Sequence, residues 1–415
     1  MRWSSRSGRL AAMLVAGFMV MSACGSDKDE SDAGSDDGGG SAAKTVKIGV
    51  IAPLSGDLSA LGAGIKNGAD LAVKQANEEE KIEGWKFVLD AQDDTANPQT
   101  AGTVASKLAS DSKVIGVVGT LNSSTAEQVQ PILDQAGIVM VSPANTNPTL
   151  SQGADPAGKK RPYPTYFRVS TTDAVQGPFA ADYALEGAGF KKAIIIHDKK
   201  TYGQGLANAF KTRFEEKGGK VLTVETVDPE EKKFDAVLSK VKPLGGDFIY
   251  YGGEYPAASL ISSQANGIGL TIPLMGGDGI YSGTFIEVAQ AGGEGDLATS
   301  VGGPTDQLAS AKSFVDAYEA AGYADPYEAY GAYSYDATNV IIDAAAKVLP
   351  DVDAIDDEVL ADIVAAVGET DLEGATGPVS FDEFGDTNTK VLTVYKVEAG
   401  PDGLAWKPQK TDEFK

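Results

Sequence analysis

The sequence predicts an α/β protein made of two doubly wound, parallel-sheet lobes. From Val46 onward, short and nearly continuous apolar runs rich in β-branched residues alternate with amphipathic stretches of helical length. That is the pattern of strands covered by helices on both faces. The alternation runs for roughly 370 residues, more than one hydrophobic core usually holds, so two lobes are expected. With 42% hydrophobic and 23% charged residues among 415, the chain has enough apolar surface to exclude wholesale disorder.

In order, residues 46–53, 85–93, 114–120, 137–143, 192–198, 220–227 and 247–253 read as strands, with helices at 63–79, 98–111, 125–137 and 203–218. The later helices 310–322 and 333–349 must cover one of these sheets, and 389–400 reads as an edge hairpin. Glycine-rich and polar breaks near 153–164 and 292–304 suggest the divisions, and no repeat of 20–50 residues is visible.

The N-terminus has a different composition. Arg2, Arg6 and Arg9 precede the apolar run 10–21, and Ser22 and Ala23 precede Cys24. This is a secretory signal peptide, with an apolar run about half of the roughly 20 residues that a membrane-spanning helix needs. Residues 21–25, Met-Ser-Ala-Cys-Gly, resemble a bacterial lipoprotein cleavage site, which implies that Cys24 carries a lipid at the new N-terminus. Residues 25–45 are Gly-, Ser- and Asp-rich with six acids, a composition that forms a flexible, extended tether. The expected location is extracytoplasmic, anchored to the cell membrane by lipid.

Charge and composition exclude several functions. The net charge is −24, and −27 once residues 1–23 are removed, so no basic footprint for nucleic acid exists. One His leaves little room for a multi-His zinc site, and a single Cys excludes an internal disulfide. Gly62, Gly64 and Gly68 miss the GxGxxG spacing, with Asn67 where the third glycine belongs. Residues 153–160 miss a phosphate loop because Lys160 replaces the hydroxyl residue and no helix follows. His197 and Asp198 are adjacent on a strand and so face opposite ways, which makes them no relay. Residues 351–358 lack calcium-loop spacing and read as a solvated helix start. No catalysis, metal or cofactor is expected.

Strand ends, by contrast, carry groups suited to a small zwitterion. Open α/β sheets bind ligands at the carboxyl ends of their strands, beside helix N-termini. Ser123 precedes Ser124 and Glu127, which have capping-box spacing, so a free hydroxyl and bare amides can meet a carboxylate there. Ala144 and Thr146 offer a carbonyl and a hydroxyl after the fourth strand. Asp278, in a glycine-rich loop, is placed to receive an ammonium group, and Tyr202 and Tyr251 can supply walls with hydroxyl handles.

Nine runs in a fixed order carry a family resemblance: VKIGVIAPLSG (46–56), the DD..NP pair of 93–98, GTLNSSTAE (119–127), GIVMVSPANTNPTL (137–150), FRVSTTDAVQG (167–177), HDKKTYGQGLA (197–207), DFIYYGGEYP (247–256), PLMGGDG (273–279) and TGPVSFDEFGD (376–386). The chain resembles the type I periplasmic binding proteins that serve ABC importers of branched-chain amino acids. The resemblance implies two lobes, 46–171 with 303–389 and 172–302 with 390–415, joined by three crossing strands and closing over an amino acid. It implies that Ser123, Ala144 and Thr146 hold the ligand carboxylate, that Asp278 and the Ala144 carbonyl hold its ammonium, and that Tyr202 and Tyr251 touch it from the second lobe. It also implies ABC permease subunits as partners of a monomer. Three departures stand out: Asp278 occupies a position often Glu, Leu61 replaces an aromatic residue of some members, and Ala96 and Asn122 stand where some have a disulfide. The alternatives are another solute (an amide, urea or aromatic acid), a ligand sensor of the same fold, or a nucleotide-dependent enzyme.

Overall fold

The computed structural model describes residues 43–155 and 157–414; the leader, Cys24 and the linker as far as residue 42 lie outside the described residues, so the signal-peptide and lipidation expectations fall there. No described helix is long and apolar enough to cross a membrane.

Val and Ile on both faces of the short central strands force helices onto both sides of each sheet. The first sheet is wholly parallel, in the order β2-β1-β3-β4-β5. Its strands are β1 (Lys44–Ala52), β2 (Trp85–Asp93), β3 (Val114–Gly119), β4 (Val139–Ser142) and β5 (Tyr166–Arg168), connected by α1 (Ser59–Glu78), α2 (Pro98–Ala109), α3 (Ser123–Gln135) and the single turn α4 (Thr149–Gln152). Every residue of β3 and β4 is buried.

The chain then enters the second sheet through α5 (Asp173–Asp182). There follow β6 (Lys192–His197), α6 (Thr201–Glu216), β7 (Lys220–Thr226), α7 (Asp235–Val241), β8 (Phe248–Gly252), α8 (Tyr255–Gly267), β9 (Leu274–Gly276), α9 (Gly283–Ala289) and β10 (Leu297–Ser300). It returns to cover the first sheet with α10 (Lys312–Ala321), α11 (Gly331–Val348) and α12 (Asp357–Gly368), α11 lying against α1, β3 and β4. A small hairpin, β11 (Asp371–Gly374) and β12 (Gly377–Ser380), precedes β13 (Val391–Gly400) and β14 (Gly403–Glu413). The second sheet runs β14-β13-β10-β9-β8-β6-β7, with β13 and β14 antiparallel at one edge, as the expected hairpin requires.

Several expectations need correction. The two sheets are linked by three chain crossings, at 169–172, 301–311 and 381–390, but these form no strand ladder and pair only through isolated bridges, Arg168 with Asp386 and Phe381 with Thr387. The expected strands missed β5, β9 and β10, which span three or four residues and are too short for periodicity to show. Helix α5 was hidden by its internal Gly177 and Pro178. The glycines set aside as a failed nucleotide motif have a packing role. A Cβ at Gly64 would stand 2.5 Å from the Tyr327 carbonyl oxygen, and one at Gly68 would stand 2.1 Å from that of Gly331, so α1 and the start of α11 meet backbone to backbone. His197 is a buried structural residue whose Nδ1 accepts from the Lys199 amide at 3.1 Å; burial, then the Lys199 charge, lowers its pKa. Asp356 caps α12 through the amides of Glu358 and Val359, consistent with a helix start at 351–358.

Candidate functional site

The carboxyl ends of both sheets face one another across a narrow cavity of about 10 Å³. From the side of the first sheet it is lined by Leu61, Leu121, Asn122, Ser123, Ala144 and Tyr330. The second sheet contributes Tyr202, Glu254, Asp278 and Gly279. A larger cleft of about 260 Å³ at the mouth shares Glu254 and is bordered by Asp57, Thr95, Lys200 and Glu230.

Asp278 follows β9 and is 1% exposed. Its carboxylate accepts from Gln176 Nε2 at 2.9 Å, Tyr202 Oη at 2.8 Å and Tyr330 Oη at 2.7 Å, all neutral donors. None of the ion pairs among the described residues includes it. Burial pushes its pKa up, and the three donors offset only part of that rise. The donors are themselves fixed. Gln176 Oε1 accepts from the Asp278 amide at 2.8 Å and from Thr299 Oγ1 at 2.7 Å, and Tyr202 Oη accepts from the Gly279 amide at 3.0 Å. Asp173 lies behind, fully buried, its pKa pushed well up by burial and then by the Asp278 charge. This corner therefore favours a proton or an arriving cation.

Opposite it, α3 begins at Ser123, two residues earlier than the sequence reading placed it, and no side chain caps it. The expected capping box does not form. Asn122 occupies the cap position but donates through Nδ2 to Glu254 Oε1 at 2.6 Å, and Glu127 accepts from Thr201 Oγ1 at 3.1 Å. The Thr125 amide donates to the Asn122 carbonyl at 3.2 Å, which leaves the amides of Ser123 and Ser124 to whatever enters the cavity. Asn145 positions this rim by donating to the Thr120 and Leu121 carbonyls, each at 3.0 Å, which ties the loop after β3 to the one carrying Ala144.

Of the six residues named from the sequence, Ser123, Ala144, Tyr202 and Asp278 come together around this cavity. Thr146 and Tyr251 do not line it. Thr146 is fully buried, with its carbonyl accepting from the Asp173 amide at 2.8 Å and its hydroxyl without a partner. Tyr251 lies inside β8, fully buried in the core, because adjacent strand residues turn to the two helix layers and neither reaches past the strand end. The residue that does reach past it is Glu254. Sequence reasoning missed Glu254, although the rule of ligands at strand carboxyl ends marks it, two residues beyond β8. It also passed over Gln176 and Tyr330, which reach Asp278 from α5 and from the residue before α11.

The sequence profile of the family described as Periplasmic binding protein matches residues 45–403. A Brucella suis protein named Leu/Ile/Val-binding protein homolog 1 is 33% identical over 88% of this chain and 94% of its own length. A Pseudomonas aeruginosa protein named for leucine, isoleucine, valine, threonine and alanine binding is 31% identical over 95% and 96%. Among solved structures, a branched-chain amino acid transporter substrate binding protein from Streptococcus pneumoniae in complex with isoleucine superposes with a TM-score of 0.76. It shares 29% identity over 88% of this chain and 100% of its own.

Proposed function

Because the chain belongs to the periplasmic binding protein family, we propose that it is the extracytoplasmic substrate-binding lipoprotein of an ABC importer, capturing a small L-amino acid of the branched-chain or aliphatic class between its lobes. The observation that carries this reading is Asp278, a buried carboxylate with three neutral donors and no cation of its own. An α-ammonium supplies the missing charge, and the uncapped start of α3 with Ser123 suits the α-carboxylate. The Ala144 carbonyl shares the ammonium, Tyr202 forms a wall, Thr146 holds an unpaired hydroxyl in the Ala144 loop, and Tyr251 backs the pocket from the core.

The lobes on this reading are 46–171 with 303–389 and 172–302 with 390–415, rotating about the three crossings. Tyr330 to Asp278 at 2.7 Å, Asn122 to Glu254 at 2.6 Å and Asn147 Nδ2 to the Thr201 carbonyl at 2.7 Å join the two sides. A ligand touching both sides gains its full contacts only when they meet, so binding shifts the population towards closure. Cys24 anchors the monomer to the membrane, and permease subunits take the ligand from it.

Titration calorimetry of the chain lacking its signal peptide, refolded to strip carried-over ligand, tests this against leucine, isoleucine, valine, other amino acids and urea. A saturable response to L-α-amino acids is expected, with about 2.7 kcal/mol of added stability at a hundredfold excess over the dissociation constant. A response to urea alone, or turnover of a nucleotide, sinks it.

A further inference from the structure

Resting on the α-amino-acid part of that reading and departing from it on the aliphatic side chain, we propose that the preferred ligand's side chain ends in a neutral hydrogen-bond donor, a hydroxyl or an amide N–H, received by Glu254 and Asn122. The cavity has two polar poles, with Leu61 and Leu121 among its walls. Asp278 marks the first, and Glu254 with Asn122 marks the second.

The second pole has more acceptors than donors. Glu254 is 7% exposed and stands at the N-terminus of α8 without capping it; its Oε1 takes the Asn122 amide at 2.6 Å. A carboxylate only accepts, so this bond consumes the donor half of Asn122 and fixes its orientation. The other half, Oδ1, is buried with no partner, on a side chain only 4% exposed. The Lys200 ammonium lies 3.8 Å from Glu254 Oε2, too far for a hydrogen bond. Just behind, burial and then the Glu254 charge push the Asp198 pKa to about 8, so below that pH Asp198 carries a proton and adds no open acceptor to this pole.

An aliphatic side chain at this pole buries those oxygens unpaired, whereas a donor satisfies one or two of them. Lys200 already balances the Glu254 charge, so the ligand need supply only a donor and no second cation. Threonine meets this condition, since it keeps the branch of valine and exchanges one methyl for a hydroxyl.

The test uses two near-isosteric pairs, L-threonine against L-valine and L-asparagine against L-leucine, titrated into refolded wild type, Glu254→Leu and Asp278→Asn. Expected are about tenfold or tighter binding of the donor-bearing member of at least the threonine–valine pair in wild type, and loss or reversal of that preference in Glu254→Leu. Glu254→Gln substitutes if the Leu variant does not refold, and it should narrow the preference. Valine binding as tightly as threonine in wild type overturns the proposal while leaving the amino-acid reading intact. So does a threonine preference that survives in both Glu254 variants. If wild type binds none of the four, or Asp278→Asn binds them all undiminished, the amino-acid reading itself fails.

Discussion

Two buried carboxylates divide the interior between them. Asp386 sits where the chain crosses between the sheets, 4% exposed, and Asp278 sits in the cleft, 1% exposed. Asp386 has its cation in the chain. The fully buried Arg168 gives it Nε at 2.6 Å and spends Nη1 on the Asn145 and Asn147 carbonyls at 3.0 and 2.9 Å and Nη2 on Ser151. Burial pushes Asp386 up, but Arg168 more than reverses this and leaves its pKa below the ordinary carboxylate range. Asp278 has hydroxyls and an amide instead, and its pKa stays raised. One acid is complete within the fold, and the other is complete only with a guest.

The largest effect that tests this contrast is Arg168→Ala. It leaves Asp386 buried without its cation and two loop carbonyls unpaired, and should cost about 3–5 kcal/mol of stability in denaturant unfolding. A loss below 1 kcal/mol would remove the distinction between the two sites. Asp278→Ala should do the opposite. It should weaken amino-acid binding by about 2–5 kcal/mol, measured by calorimetry, without lowering the melting point of the unliganded protein.

The two acids also respond oppositely to pH. A folded pKa held low means that Asp386 adds stability above its unfolded value, and that stability is lost as pH falls through the lowered folded pKa. A raised folded pKa means that Asp278 favours the unliganded fold at pH below its unfolded value, a contribution lost as pH rises through the raised one. Between those two values the empty site holds a proton that an arriving ammonium must displace. Wild type should therefore release protons on binding in that window, seen as a buffer-dependent enthalpy, and Asp278→Asn should not. The smallest effect is expected at the mouth of the cleft. Lys232 and Asp57 pair at 2.7 Å, but both are mostly exposed, so Lys232→Ala should change affinity by about 0–1 kcal/mol, less at high salt.

Legibility in the sequence follows the same division. Strands such as 85–93 and helices such as the one from Pro98 declare themselves through local period and capping, and their bounds match closely. Ser123, Ala144 and Asp278 sit at strand ends, where the rule for open sheets directs attention. Tyr330 gives no local signal, because it approaches Asp278 only when α11 returns to pack on α1. Tyr251 and Glu254 exchange places for a simple reason. Aromatic rings in a strand look like pocket walls, yet period two sends both Tyr250 and Tyr251 into helix layers, and the first side chain free to face the cleft comes after Gly252 and Gly253. The orphaned oxygen of Asn122 is a three-dimensional fact with no one-dimensional trace.

The return of α11 to the first sheet has a consequence for the order of assembly. Ser334 Oγ donates to the Ile65 carbonyl across 269 positions of chain, and Tyr335 Oη reaches Gln75 across 260. A ribosome working at 5 to 20 residues per second, a rough general rate, finishes β1 to β5 about ten seconds or more before their covering helix exists. For that interval α1 covers only the β1–β2 part of that face, and the apolar part over β3 and β4 has nothing of its own to lie against. A nascent chain of this topology therefore depends on a holding partner, or on staying extended, until its last third has been made.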